Sequence, residues 1–372
     1  MTYRIKDYED EIYTCNRSHC GFCQEGCPAY RILGFESYSS RGRMLVSRAL
    51  LEEHVKIDKD VVDIVHNCFL CGFCNAKCAL YPTHVFMALR REVNLSGMTP
   101  EPLKRVISNI TRHGNPYAFP HNERILWMKD KEVRRSHVLF FPGCVYSYIH
   151  PKQTWRIYKL LSKVGINIGY APETDYCCGY PTYLAGDIET FQSIAMENYK
   201  KWKDMGVRTI YTPCPGCFKA LGEHYPEFID DFDIEVKHVI QGVFEVYDKG
   251  SIRLDRIYGV VTYHDPCELT RFMKVLDEPR KIIEAISAEF VELDYSGYFA
   301  KCCGGGGLVS AYNPKLALKA SVERAIEISM IQPEIVTTFC PTCERTLSKG
   351  IKRAKVHVKL MDLGEMILEA LR

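Results

Sequence analysis

Short apolar runs that stop at cysteine-bearing turns, each followed by a helical stripe, recur along the chain after residue 136. His137 to Phe141 is a continuous apolar run that ends at Pro142-Gly143-Cys144, and Val260 to Tyr263 ends in the same way at His264-Asp265-Pro266-Cys267. Runs of this length bounded by turn residues predict buried strands. Ile188, Phe191, Ala195, Tyr199 and Trp202 then fall on one helical face after a cap at Asp187, with a stop at Gly206. The matching stretch predicts a core face of Leu318, Val322, Ala325, Ile326 and Ser329, after a cap at Asn313 with Pro314 in the first turn. Short strands, Val207 to Thr212 and Ile335 to Phe339, follow the two helices and run into Cys-Pro-x-Cys. Strand, helix and strand in this order predict two α/β domains with parallel sheets.

The chain before residue 97 patterns differently. Val61, Val62 and Val65 precede Cys68, and Val85, Phe86, Leu89 and Val93 follow Cys78, which predicts helices joined by cysteine-rich loops. Pro100, Pro102, Pro116 and Pro120 mark a connector. The expected architecture is therefore α+β overall: a mostly helical unit over 1–97, a linker over 98–136, and α/β units over 137–250 and 251–372.

Composition narrows the function classes. Lys plus Arg number 48 against 46 Asp plus Glu, a balance that builds no long-range field toward nucleic acid. The opening MTYRIKDYED lacks the apolar run of a signal peptide, and no apolar stretch reaches the ~18 residues of a spanning helix, so a cytoplasmic chain is expected, able to dock on a membrane through a partner. In a reducing compartment 18 cysteines are expected to be metal ligands or redox thiols rather than disulfides.

Their spacing is specific. Cys68-x2-Cys71-x2-Cys74-x3-Cys78 is the bacterial ferredoxin run, in which three close thiolates hold one [4Fe-4S] cube and the fourth crosses to a second. Zinc sites instead take separated pairs. Cys15-x4-Cys20-x2-Cys23-x3-Cys27-Pro28 keeps the last three intervals and the proline but stretches the first, which leaves a full or a labile cube open. Crossed ligation predicts Cys15, Cys20, Cys23 and Cys78 on one cubane, and Cys68, Cys71, Cys74 and Cys27 on the other.

The other ten cysteines form two copies of one pattern. Cys144, Cys177-Cys178-Gly179 and Cys214-Pro-Gly-Cys217 repeat as Cys267, Cys302-Cys303-Gly304 and Cys340-Pro-Thr-Cys343, with equivalent cysteines 123 to 126 residues apart. That is an internal repeat of domain size. Five thiols exceed the needs of one cube or one zinc and suit a multi-iron centre with bridging thiolates, while each C-x-x-C after a strand alone would also suit a thioredoxin-like pair.

These motifs carry a resemblance to the CCG domains of heterodisulfide reductase, and the order of two ferredoxin motifs then two CCG domains is similar to the family of its D-type subunits. The layout is shared by iron–sulfur subunits of glycolate oxidase and anaerobic glycerol-3-phosphate dehydrogenase. The resemblance covers Cys15 to about Leu363 and accounts for every cysteine as eight, five and five. It implies two cubane [4Fe-4S] clusters, a noncubane [4Fe-4S] cluster on each five-cysteine set, a pseudo-twofold relation between the repeats, and a disulfide split or formed between them. It implies redox partners too: a flavoprotein, a heterodisulfide reductase A- or C-like subunit, or a membrane cytochrome b. The alternative function is a relay subunit of a larger complex without a substrate of its own. Members of the family often read His-Asp-Pro-Cys-His at the second repeat, whereas this chain has Glu268 after Cys267; Glu268 and His264 are the candidate proton donors. Gly304 to Gly307 reads as a close backbone approach to a cluster or as a phosphate cradle. Arg41-Gly42-Arg43 reads as a solvated basic loop or a partner contact.

Overall fold

The computed structural model describes residues 3–128 and 136–372; Met1 and Thr2 at the start, and 129–135 of the predicted linker, lie outside the described residues.

In the first unit, helices Glu9–Ser18, Ser40–Leu51, Lys59–His66 and Pro82–Leu95 bury one shared face. Ile12, Met44, Val65, Val85, Phe86, Leu89 and Val93 make that core, and burial of each large side chain contributes ~1.5–3 kcal/mol. Capping explains where two of these helices begin: Ser39 accepts from Gly42 N, and Asp58 accepts from Asp60 N and Val61 N. The proline-marked connector is itself ordered, with a helix at Glu101–His113 that buries Leu103 and Ile110. Gly114 ends it, and its carbonyl accepts a 2.9 Å hydrogen bond from Cys177 N.

Each repeat is a small parallel sheet. The first runs β1 (Val138–Phe140), β2 (Thr209–Thr212) and β3 (Glu235–His238) in that order, with Gly169 bridged to Leu139 on the outer side of β1. The second has β4 (Tyr258–Tyr263), β5 (Ser287–Phe290), β6 (Ile335–Thr338) and β7 (Lys359–Asp362) in the order β5-β4-β6-β7. If the Gly169 bridge is counted as a vestigial strand, the two orders coincide.

The repeats face each other reciprocally. Helix Val239–Asp248, after the last strand of the first repeat, packs on Asp277–Ile286 of the second, and helix Leu363–Ala370 of the second packs on Pro151–Lys163 of the first. Element a against b′ and b against a′ is the signature of a twofold contact. Ile157, Leu160, Ile240, Val243, Ile282, Ile286, Met366 and Ile367 join both repeats in one core.

The face predicted for Ile188–Asp204 is the buried one, with Asp187 capping through Thr190 N. The face predicted for the matching helix, Pro314–Met330, is displaced. Ala325 alone of the five predicted positions is buried and Ile326 is 43% exposed, while Leu316, Ala317, Ala320, Ser321, Arg324 and Ile328 point inward. Close approach to helix Pro341–Ala354 is the cause. Ser321 Oγ donates to Thr346 O at 2.7 Å, a Cβ on Gly350 would sit 2.2 Å from Ser321 Oγ, and buried Arg324 is held by Glu327 and by Tyr295 O. Among the described residues, no helix is long and apolar enough to cross a membrane.

Candidate metal centres

All 18 cysteines are free thiols. In the first unit the fold gathers them in crossed sets. Cys15 lies in the last turn of Glu9–Ser18, and His19 at φ 50° reverses the chain toward Cys20, so the stretched loop is one left-handed helix stop. Burial pushes Cys15 up to about 11, with Cys23, Cys78 and Cys20 as its thiol neighbours. Burial likewise raises Cys27 to about 11, beside Arg43, Cys68 and Cys71, and raises Cys74 beside Cys68, Cys71 and Cys27. Ser40 hydrogen-bonds to Cys23 and to Cys74, so one hydroxyl stands between the two sets.

The basic tripeptide is helical rather than a solvated loop. It forms the first turn of Ser40–Leu51. Arg43 is buried and donates to Ile64 O at 2.9 Å and to Tyr38 O, while Arg41 pairs with Glu36 at 3.4 Å and presents its backbone amide to Cys23. A helix N-terminus aimed at a thiolate favours the charged form.

Each repeat draws its five cysteines into one string of touching thiols. In the first, Cys144 meets Cys177, Cys177 meets Cys178, Cys178 meets Cys217, and Cys217 meets Cys214. In the second the same order runs Cys267, Cys302, Cys303, Cys343, Cys340. Hydrogen bonds from Cys177 and Cys217 pull Cys178 down to about 6. Backbone amides of Gly304, Gly305 and Cys343 donate to Cys302, Cys303 and Cys340 sulfurs at 3.3–3.4 Å. Cys214 and Cys340 neighbour each other across the twofold.

The second string also touches the first unit. Cys302 hydrogen-bonds to Cys71, which it draws down to about 6. The four-glycine run makes this approach possible: a Cβ on Gly306 would stand 2.5 Å from Phe69 O, and one on Gly307 2.5 Å from Cys68 O. The glycines therefore serve backbone contact with the ferredoxin-type loop. Arg271 closes the junction by donating to Cys71 O and to Ala300 O.

The predicted proton donors occupy different places. His264 is buried; its Nδ1 accepts from Arg324 Nε at 3.3 Å, its side chain hydrogen-bonds to Cys303, and one of its ring nitrogens lies within 4.8 Å of the Cys303 and Cys343 sulfurs. Glu268 reaches into the first repeat. Its Oε1 accepts from Tyr180 Oη at 2.8 Å, and its Oε2 lies 3.5 Å from Lys219 Nζ. The Tyr180 ring rests against Gly216 of the Cys214-Pro-Gly-Cys217 turn.

Sequence reasoning missed Arg124, Tyr180 and Lys219. Arg124 is fully buried, donates to Cys144 Sγ at 3.5 Å and to Asp175 at 2.8 Å, and comes from the connector, where no periodicity or motif marked it. Tyr180 and Lys219 each stand two residues beyond a cysteine, and that proximity was the available signal.

These residues fit iron–sulfur clusters on the chemistry of their donors. Thiols buried in mutual contact, without disulfides, are costly as a bare cavity and suit soft metals. The backbone comes close to the sulfurs: a Cβ on Gly143 would lie 2.7 Å from Cys217 Sγ.

Residues 11–81 match the 4Fe-4S dicluster domain, and residues 138–222 and 261–348 each match the cysteine-rich domain CCG. Over 387 aligned residues the chain is 28% identical to the D subunit of dihydromethanophenazine:CoB–CoM heterodisulfide reductase of Methanosarcina mazei, covering 97% of this chain and 94% of that protein. It is 24% identical to the EtfAB:quinone oxidoreductase of Syntrophomonas wolfei, covering all of this chain and 60% of the relative. The B subunit of the fumarate reductase (CoM/CoB) of Methanothermobacter marburgensis is 26% identical, with 98% of this chain and 74% of the relative covered.

Proposed function

Since the chain belongs to the family of heterodisulfide reductase D-type subunits, which are iron–sulfur oxidoreductases, we propose that it moves electrons between a redox partner and a disulfide or thiol pair held between its two repeats. Cys15, Cys20, Cys23 and Cys78 hold one cubane cluster, and Cys27, Cys68, Cys71 and Cys74 the other. Cys144, Cys177, Cys178, Cys214 and Cys217 hold one noncubane [4Fe-4S] cluster, and Cys267, Cys302, Cys303, Cys340 and Cys343 its counterpart. The observation that carries this reading is the unbroken thiol path from the second cubane set through Cys71 and Cys302 into the second repeat.

Iron–sulfur clusters supply electrons one at a time. Splitting a disulfide takes two electrons and two protons and yields two thiols. The chain's own residues supply the proton side: Glu268, hydrogen-bonded to Tyr180 and beside Lys219, joins the Cys267 end of one string to the Cys214–Cys217 turn of the other. A carboxylate between a hydroxyl and an ammonium stands where it faces groups of both repeats and can pass a proton along that hydrogen bond. His264, hydrogen-bonded to Cys303, is the second candidate proton donor. The outside partner is another redox subunit: a flavoprotein, a heterodisulfide reductase A- or C-like subunit, or a membrane cytochrome b.

The test is reduction of a heterodisulfide by reduced viologen, with anaerobically purified chain carrying about 16 iron atoms, four clusters of four. Turnover that falls in Glu268→Gln with iron unchanged supports the reading. Full iron without turnover on a panel of disulfides sinks it in favour of a relay between other subunits. Glu268 in the place where related chains often carry histidine is the feature that favours that relay.

A further inference from the structure

A cavity of about 150 Å³ lies between the first unit and the first repeat, and Glu223, His224 and Glu227 line it together with Tyr3 and His84. Their ligand atoms are close: one atom each from Glu223, His224 and Glu227 falls within 4.8 Å of the others. Chain geometry puts them there. Residues Ala220–His224 form a π-helical turn, a widened turn that recurs at functional sites, and the helix Tyr225–Phe228 continues from it.

We propose that this cluster binds a divalent transition-metal ion, separate from the iron–sulfur centres. An ordinary histidine–glutamate pair accounts for only part of the arrangement. His224 Nδ1 lies 3.3 Å from Glu227 Oε1, and Glu227 also accepts from the Tyr3 hydroxyl. Yet His224 Nε2 is buried without a hydrogen-bond partner, in a side chain only 4% exposed, and Glu223, half-buried, presents a carboxylate oxygen to the same cluster. An orphaned imidazole nitrogen beside a carboxylate, in a cavity with room for water, suits a cation that takes oxygen and nitrogen ligands.

Two carboxylates and an imidazole are the donors that zinc, manganese and ferrous iron accept. His84 lines the same cavity and offers a further imidazole nitrogen to it. Lys219 lines the cavity as well, its ammonium engaged 3.5 Å from Glu268 and 3.6 Å from the Phe272 ring centroid.

Manganese(II) is the probe, because aqueous manganese has an electron paramagnetic resonance signal that fades on binding, and oxidised clusters leave it readable. The cluster-loaded chain is titrated with manganese, and zinc is then added as competitor. One manganese per chain, displaced by zinc, is expected for the unaltered protein and for the surface control Glu289→Gln. Glu223→Gln and His224→Gln are expected to weaken binding at least about tenfold with iron content unchanged. Glu223 is only half-buried, so its variant keeps the test valid if His224→Gln fails to fold. Absence of saturable binding, or equal binding in Glu223→Gln, which would indicate an adventitious ion only, overturns the proposal.

Discussion

Gly143 shows how little space separates backbone from sulfur in these centres. It holds φ 74°, a left-handed conformation, and an added methyl would stand 2.7 Å from Cys217 Sγ. Gly143→Ala is expected to lose the first-repeat cluster, lowering iron by about four atoms per chain in a colorimetric assay. Gly250→Ala, at φ 70° with nothing near its Cβ, carries only the ~1–2 kcal/mol left-handed strain and should keep its iron. A second residue-scale prediction concerns pH. Burial raises Asp362 from 3.8 to about 7, although Tyr146 donates to it at 2.7 Å. Its folded form therefore binds the proton more tightly than its unfolded form. That stability is complete below the unfolded pKa and is lost as pH rises through about 7. Asp362→Asn keeps the acceptor that caps helix Leu363–Ala370 but carries no charge. The melting temperature of the variant should gain on that of the parent as pH rises from about 5 to about 8. A constant difference across that range would show that Asp362 does not titrate there.

At the scale of elements, the helix Pro314–Met330 separates pattern from packing. Its sequence offers large apolar residues on one face, but the core accepts the small ones, because Gly350 and Ser321 let two helices come close and Arg324 brings its own partners inside. Ile326→Lys is expected to stay within about 0.5 kcal/mol of the parent in denaturant unfolding. Ala320→Leu should cost ~1–3 kcal/mol by overpacking. The reverse ranking would restore the face expected from periodicity. The helix Ile188–Asp204 posed no such problem, since its inward row holds Phe191, Tyr199 and Trp202, bulk that only a deep core accommodates.

Across the whole molecule, Arg90 ties the three units. Its guanidinium donates to Cys68 O at 2.7 Å, to Gly307 O at 2.8 Å and to Leu184 O, reaching the first unit, the second repeat and the first repeat at once. Burial lowers its pKa to about 10, which leaves it charged at neutral pH. Arg90→Met removes the donor from three carbonyls together and is expected to cost ~3–5 kcal/mol. Limited proteolysis should then cut between units before the repeats themselves open. Cleavage as slow as in the parent would place the cohesion elsewhere, in the twofold core around Ile157 and Ile282.

The sequence alone determined which thiols belong together, because cysteine intervals are short-range and the 123 to 126 residue repeat states them twice. It also determined the strands and most helical faces, where apolar bulk and period coincide. Tertiary structure decided the rest. That Arg124 leaves a connector to meet Cys144, that Glu268 answers to Tyr180 and Lys219 of the other repeat, and that Arg43 and Arg324 lie inside are all long-range pairings of polar groups. Such pairings leave no periodic trace along the chain, because a buried charge is set by its partner's position in space and not by its neighbours in sequence.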